Sequence, residues 1–213
     1  MKNLLYKEVR LAAHPNLFIF AALGCLVLVP AYPYSTIFLY GTLGPGITFM
    51  FARENNDAVY TALLPVKKSD VVKAKFMLIL IAELGLILIS IPFAILRNSI
   101  FAEGNPVGMD TTFAYYGLGF IIFALFNFTF FTRFYKSGYK VGVSFMLALI
   151  PVVLGMLVME SLAHIPATQW MDSLSGSDMI MQLPILIIGL IIFVIGTWIT
   201  YKISANRFEN VDL

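Results

Sequence analysis

The chain has 213 residues, 60% of them hydrophobic and only 12% charged, with 14 Lys and Arg against 12 Asp and Glu. A soluble domain carries about 25% charged residues, so this composition excludes an ordinary water-soluble enzyme and describes a chain dissolved in lipid. The net charge of +2 does not indicate a nucleic-acid partner, because the basic residues lie beside apolar stretches rather than in one dense patch.

The lone Cys25 precludes an intrachain disulfide and suggests no metal cluster. Lys2 to Ala13 reads as a short amphipathic helix, with Leu4, Leu5, Leu11 and Ala12 on an apolar side and Lys7, Glu8 and Arg10 in water. Such a helix suits the cytoplasmic membrane interface, where Lys and Arg meet anionic head groups; a frayed leader is the alternative. His14-Pro15 would then turn the chain into the bilayer. A charged stretch before the first apolar segment, with no small-residue cleavage site after it, argues against a cleaved signal peptide.

Six apolar stretches follow, at 17–32, 34–51, 76–96, 113–132, 141–160 and 181–201. Most approach the roughly 20 residues that cross about 30 Å of hydrocarbon as a helix. Pro30 and Pro33 leave only a small turn between the first two, and Tyr32 and Tyr34 suit an interface there. The basic residues fall at both ends and in every second connection, Arg97 alone excepted. The expected fold is therefore an all-α membrane protein of six transmembrane helices, one transmembrane domain over 1–213, with both termini cytoplasmic.

The longest inner connection, Ala52 to Lys75, is richer than a turn requires. Arg53 to Leu64 predicts a helix parallel to the membrane that Pro65 ends, and Ser69 and Asp70 predict a cap for the third span. Val59, Tyr60, Leu63 and Leu64 offer an apolar edge, and Glu54, Asn55, Asn56 and Asp57 a hydrogen-bonding one. That is the composition of a surface that docks into a partner's groove, although the same apolar edge could rest on lipid or on neighbouring spans.

Within the spans, Glu83 lies about 10 Å along its helix and is too short to reach far toward water. It either lines a transport path or fixes helix packing through a hydrogen bond; the absence of other charges in that span favours packing. Asn127 and Thr129 can hydrogen-bond between helices. Gly44-Pro45-Gly46 and Pro92 mark sites of helix bending, and Gly117, Gly119, Gly189 and Gly196 permit close helix approach. On the outer side, Glu103, Asp110, Glu160, Asp172 and Asp178 predict an acidic mouth, and Leu162 to Ile180 predicts a short interfacial helix around Trp170.

The run Arg53-Glu54-Asn55-Asn56-Asp57, then Tyr60 to Pro65 and Lys67 to Lys75, resembles the loop between spans two and three of small six-span ABC-2-type permeases of Gram-positive bacteria. The likeness extends from Asn3-Leu4-Leu5-Tyr6-Lys7-Glu8 through Phe134 to Lys140 to the ending Asn206 to Leu213. The resemblance implies a permease subunit in a bacterial plasma membrane, similar to phenol-soluble-modulin and antimicrobial-peptide exporters. It implies that the stretch from Glu54 to Leu64 is a coupling helix seated in a separate ATPase subunit, and that Lys2 to Ala13 is an elbow helix. The partners it implies are two cytoplasmic ATPase chains, a second copy of the permease or a homologue, and a peptide substrate, all in lipid.

No Gly-x-x-x-x-Gly-Lys-Ser/Thr loop occurs, so nothing here would cradle nucleotide phosphates. ATP and Mg are expected in the partner, with no cofactor and no catalysis in this chain. Export of drugs or lipids is the alternative, since no residue reads a particular chemical group, and a non-transporting scaffold or sensor would show the same basic inner loops. An intramembrane hydrolase is disfavoured because no His-Glu-x-x-His helix or nucleophile motif is present and His14 and His164 fall on opposite sides.

Overall fold

A computed structural model describes residues 2–63, 65–101, 104–137 and 140–210 of the protein, and among these the regular structure is entirely helical. Helix α1 (Lys2–Lys7) opens into a π turn, Glu8–Ala12, closed by Ala13 N–H donating to the Glu8 carbonyl at 2.7 Å. His14 is extended, and its ring accepts from Asn16 N–H at 3.2 Å. Pro15 begins α2 (Pro15–Ala22), where its missing N–H is not needed. The chain turns by 88° between the two segments, the elbow that His14-Pro15 predicts.

The elbow's wet side differs from expectation. Glu8 is 1% exposed while Leu11 is 73% exposed. Glu8 stands four residues after Leu4 and four before Ala12, both buried, so it shares their helix face and turns inward toward two lysines rather than out to water.

Beyond α2 the helix tightens into 3-10 turns over Leu23–Leu28. Together they rise about 12 Å as α-helix and about 12 Å as 3-10 helix, short of about 30 Å of hydrocarbon. The turn that follows carries Ala31 in the left-handed region at φ 57°. Helix α3 (Thr36–Glu54) occupies the second predicted span, but it does not join the helices apolar enough to cross a membrane. Those are α5 (Lys68–Ile100), α6 (Phe113–Lys136), α7 (Val141–His164) and α8 (Gly176–Glu209), with a fifth if the bent first pair counts as one span. Among the described residues, four clear spans, or five with the bent pair, thus stand where six similar ones are expected. Helix α3 falls short because Thr42, Gly44, Pro45, Gly46 and Thr48 dilute its apolarity; these residues are buried in protein and need not face lipid.

The long helices pack through small residues and rings. A Cβ on Gly189 would come within 2.1 Å of the Gly117 carbonyl oxygen, so α6 and α8 touch backbone to backbone at that crossing. Lower on α6, Phe49 of α3 meets Phe130, Phe131 and Phe134 edge-on at 4.9–5.5 Å, and Phe76 stacks on Phe131 at 3.9 Å. Ser69 and Asp70 do not cap α5: the helix begins at Lys68, with Lys67 in the cap position and no side-chain cap bond. Asp70 instead sits in the first turn, where a negative charge suits the helix dipole.

At the end of the molecule away from these lysines, the connections are stapled together. Arg97, 1% exposed, lies 2.9 Å from Asp110 Oδ1, an ion pair without the alignment of a hydrogen bond. Asp110 N–H donates to Asp172 at 2.5 Å, and Met109 N–H donates to Glu160 at 3.0 Å. Thr112 caps α6 and donates to the Met171 carbonyl at 2.8 Å. The 3-10 turn Pro166–Met171 lies within the predicted short helix. The predicted acidic mouth is kept only in part: Asp110 is buried against Arg97, Asp172 and Glu160 are half-buried and accept from loop N–H groups, and Asp178 stays at the surface. Glu103 lies outside the described residues.

Candidate functional site

The predicted helix from Arg53 to Leu64 is shorter than its sequence suggests. Arg53 and Glu54 finish α3, Asn55 and Asn56 form a turn, and only Asp57–Ala62 forms α4. The break is at Asn56, whose φ of 52° places it in the left-handed region, a conformation Asn tolerates better than most residues. Arg53, Glu54, Asn55, Asn56, Tyr60 and Leu63 are all exposed, Tyr60 at 68% and Leu63 at 78%. Leu64 lies outside the described residues.

Asp57 departs from this outward set. Its Oδ2 is 2.6 Å from Lys75 Nζ, and its Oδ1 pairs with Lys7 Nζ. Glu8 makes the complementary bridge, with Oε2 3.0 Å from Lys75 and Oε1 3.1 Å from Lys7. Lys7 also donates to Thr61 Oγ1 at 2.7 Å. Each carboxylate thus spans both ammonium groups, and the four charges cancel. The arrangement ties the elbow (Lys7, Glu8), the short helix (Asp57, Thr61) and the start of a long spanning helix (Lys75) into one joint. Phe49 lies beneath it, its ring 5.7 Å from Lys75 Nζ.

Burial works against the Asp57 carboxylate, yet Lys75 and Lys7 outweigh it and hold the carboxyl below its usual range. All four side chains are less than a quarter exposed. Removing one partner from such a buried set costs about 3–5 kcal/mol, because it strands the others.

Sequence reasoning placed Lys7 and Glu8 in water and gave Lys75 no role beyond topology. The signal that finds them is register. Lys75 lies four residues from Val71 and from Ile79, both buried, as Glu8 lies four from Leu4 and Ala12. A charge at the centre of an apolar i, i+4, i+8 stripe needs a buried partner.

Glu83 and Asn127 form a second, separate arrangement. Asn127 Nδ2 donates to Glu83 Oε2 at 2.9 Å between α5 and α6. Glu83 is fully buried and Asn127 nearly so. The structure brings these two predicted residues together as an interhelical contact, and Glu83 does not open onto solvent in this conformation. Among the described residues, no group of three or more His, Cys, Asp and Glu is arranged to hold a metal ion.

Comparison with known proteins gives one match: the family described as ABC-2 family transporter protein matches residues 3–209. No curated protein matches the chain, and no solved structure matches it.

Proposed function

We propose that this chain, which belongs to the ABC-2 family of transporter proteins, is the permease subunit of an exporter for amphipathic or antimicrobial peptides, with α4 and its flanks as the surface that couples it to ATPase subunits. Membership makes it a membrane component of transport rather than a catalyst, and implies association with ABC ATPase subunits. In the finer reading, two copies, or one copy and a homologue, sit in a bacterial plasma membrane with both termini on the ATPase side. The distribution of basic residues supports that orientation.

The observation that carries the coupling reading is the four-charge joint below an exposed edge. A partner seated on Tyr60, Leu63, Glu54, Asn55 and Asn56 would push on a helix only six residues long. A free six-residue helix is too short to transmit force. Asp57 links it directly to Lys75, at the base of a helix about 50 Å long, and to Lys7 of the elbow. A displacement of α4 by ATPase closure would then move the elbow and α5 together, and reorient the spans between inward- and outward-facing states.

The test purifies the tagged chain from its native membrane in mild detergent and identifies a stoichiometric P-loop ATPase. Tyr60→Ala with Leu63→Ala should release the ATPase. Lys75→Met combined with Asp57→Asn, which leaves Lys7 and Glu8 balanced, should keep it bound but uncouple peptide-stimulated ATP hydrolysis. Recovery of no ATPase under conditions that retain a control complex would sink the reading in favour of a scaffold. Stimulation by apolar drugs or lipids and not by amphipathic peptides would move the substrate class to the alternative.

A further inference from the structure

On the lipid-facing side, α5 and α8 leave a groove of about 350 Å³ between them. Phe76, Met77, Leu80 and Leu84 of α5 line it against Phe193 and Trp198 of α8, with no acidic residue among its walls. Lys73 stands at one end, and eleven residues of helix separate it from Leu84, about 17 Å at 1.5 Å per residue. That is close to half of about 30 Å of hydrocarbon, so the groove spans one leaflet and stops near the midplane.

The basic end is shaped for a head group. Lys73 and Lys202 are both exposed, and neither has a carboxylate partner among the described residues. Lys202 Nζ lies 5.8 Å from the centre of the Trp198 ring, and Trp198 is itself 60% exposed, as suits a ring at head-group depth. Thr197 also lines the groove, and its hydroxyl is buried without a hydrogen-bond partner.

We propose that this groove is a binding site for an anionic phospholipid of the leaflet at the basic end. One acyl chain lies between Leu84 and Phe193, and the phosphate lies on Lys73 and Lys202. Two cations over an apolar slot with no acid discriminate for an anionic head group, since basic residues near the membrane surface attract anionic lipid. A cationic peptide is disfavoured at the same mouth. The site depends only on the helices lying in a membrane, so its failure would leave the coupling reading untouched.

The two tryptophans make the test direct. Trp170→Phe leaves Trp198 as the sole indole in the full-length protein, reconstituted in phosphatidylcholine vesicles doped with chain-brominated phosphatidylglycerol or chain-brominated phosphatidylcholine. At equal mole fraction, the brominated anionic lipid should quench Trp198 at least twofold more. That preference should disappear in Lys73→Gln with Lys202→Gln, while quenching by brominated phosphatidylcholine stays as in the parent. Equal quenching by both lipids in the parent protein overturns the proposal. Protection of Trp198 from both lipids also overturns it, and assigns the groove to a protein surface such as a second copy.

Discussion

The two ends of the molecule both bury charge, but they balance it differently. At the basic end, Lys7 and Lys75 face Glu8 and Asp57, two charges of each sign, and every member touches both opposite charges. At the other end, Asp110, Glu160 and Asp172 converge on loop N–H groups with Arg97 as the buried cation. Burial there raises the Asp110 carboxyl despite the Asn105 N–H and Arg97. It pushes Asp172 up to about 6, with Asp110 and Glu160 adding repulsion and the Asp110 N–H and His164 offsetting part of it. The difference teaches that a neutral set can act as a rigid joint at any ordinary pH, whereas an acid-rich one tightens and loosens as protons come and go.

The strongest way to break this comparison is to remove one cation from each end. Lys75→Met should destabilise the protein by about 3–5 kcal/mol, because Glu8 and Asp57 lose a shared partner in a buried site. Adding Asp57→Asn should recover part of that loss, since Lys7 and Glu8 then balance. Thermal unfolding in detergent reads both. Arg97→Met should cost less, about 1–3 kcal/mol, because Asp110 can take a proton instead of remaining an unpaired anion. An equal loss at the two ends would remove the distinction.

The pH dependence sharpens it. Asp172 binds its proton more tightly folded than unfolded, so its contribution to stability is greatest below about pH 4 and is lost as pH rises through about 6. Hydrogen-exchange protection factors, corrected for the intrinsic pH dependence of amide exchange, should therefore be larger in residues 104–112 and 166–174 at pH 5 than at pH 7, and Asp172→Asn should flatten that difference. Asp57 has the opposite sign. Its stabilisation is present above the unfolded carboxyl value and is lost only as pH falls through its lowered folded value, so the protection factors at α4 should not change between pH 5 and 7.

The smallest effect is expected midway between the ends. Glu83→Gln keeps an acceptor for Asn127 Nδ2 and should change stability by less than about 1 kcal/mol. Glu83→Leu should cost more, by stranding the Asn127 amide. If Glu83→Gln abolished transport while leaving stability intact, the carboxylate would belong to the substrate path rather than to packing.

Much of the fold was legible from residues alone, for identifiable reasons. Pro15 after His14 predicts the elbow because a residue before proline avoids the helical region, and the 88° turn falls there. Uninterrupted apolar runs predict α5 through α8 because hydrocarbon admits little else. The segment from Arg53 to Leu64 was harder to read. Asp57 looks identical in sequence to the exposed Glu54, and only the left-handed turn at Asn56 rotates it inward. Asp110, Glu160 and Asp172 look like a solvated patch because no sequence pattern records that Glu160 and Asp172 accept from the Met109 and Asp110 N–H groups. Asn127 and Glu83 were each legible as polar residues in lipid-facing sequence, though not as partners, since they are 44 residues apart.

By itself, then, the sequence determined that this chain lies in a membrane as a set of helices and that its basic residues sit beside the ends of its apolar runs. Those properties follow from local composition and from the cost of exposing charge or backbone to lipid. The tertiary structure decided which charges meet: Lys7, Glu8, Asp57 and Lys75 come from three elements up to 68 residues apart. Their pairing depends on the packing angles of whole helices, set by contacts such as Gly117 against Gly189 and Phe49 against the α6 rings, which no single segment contains.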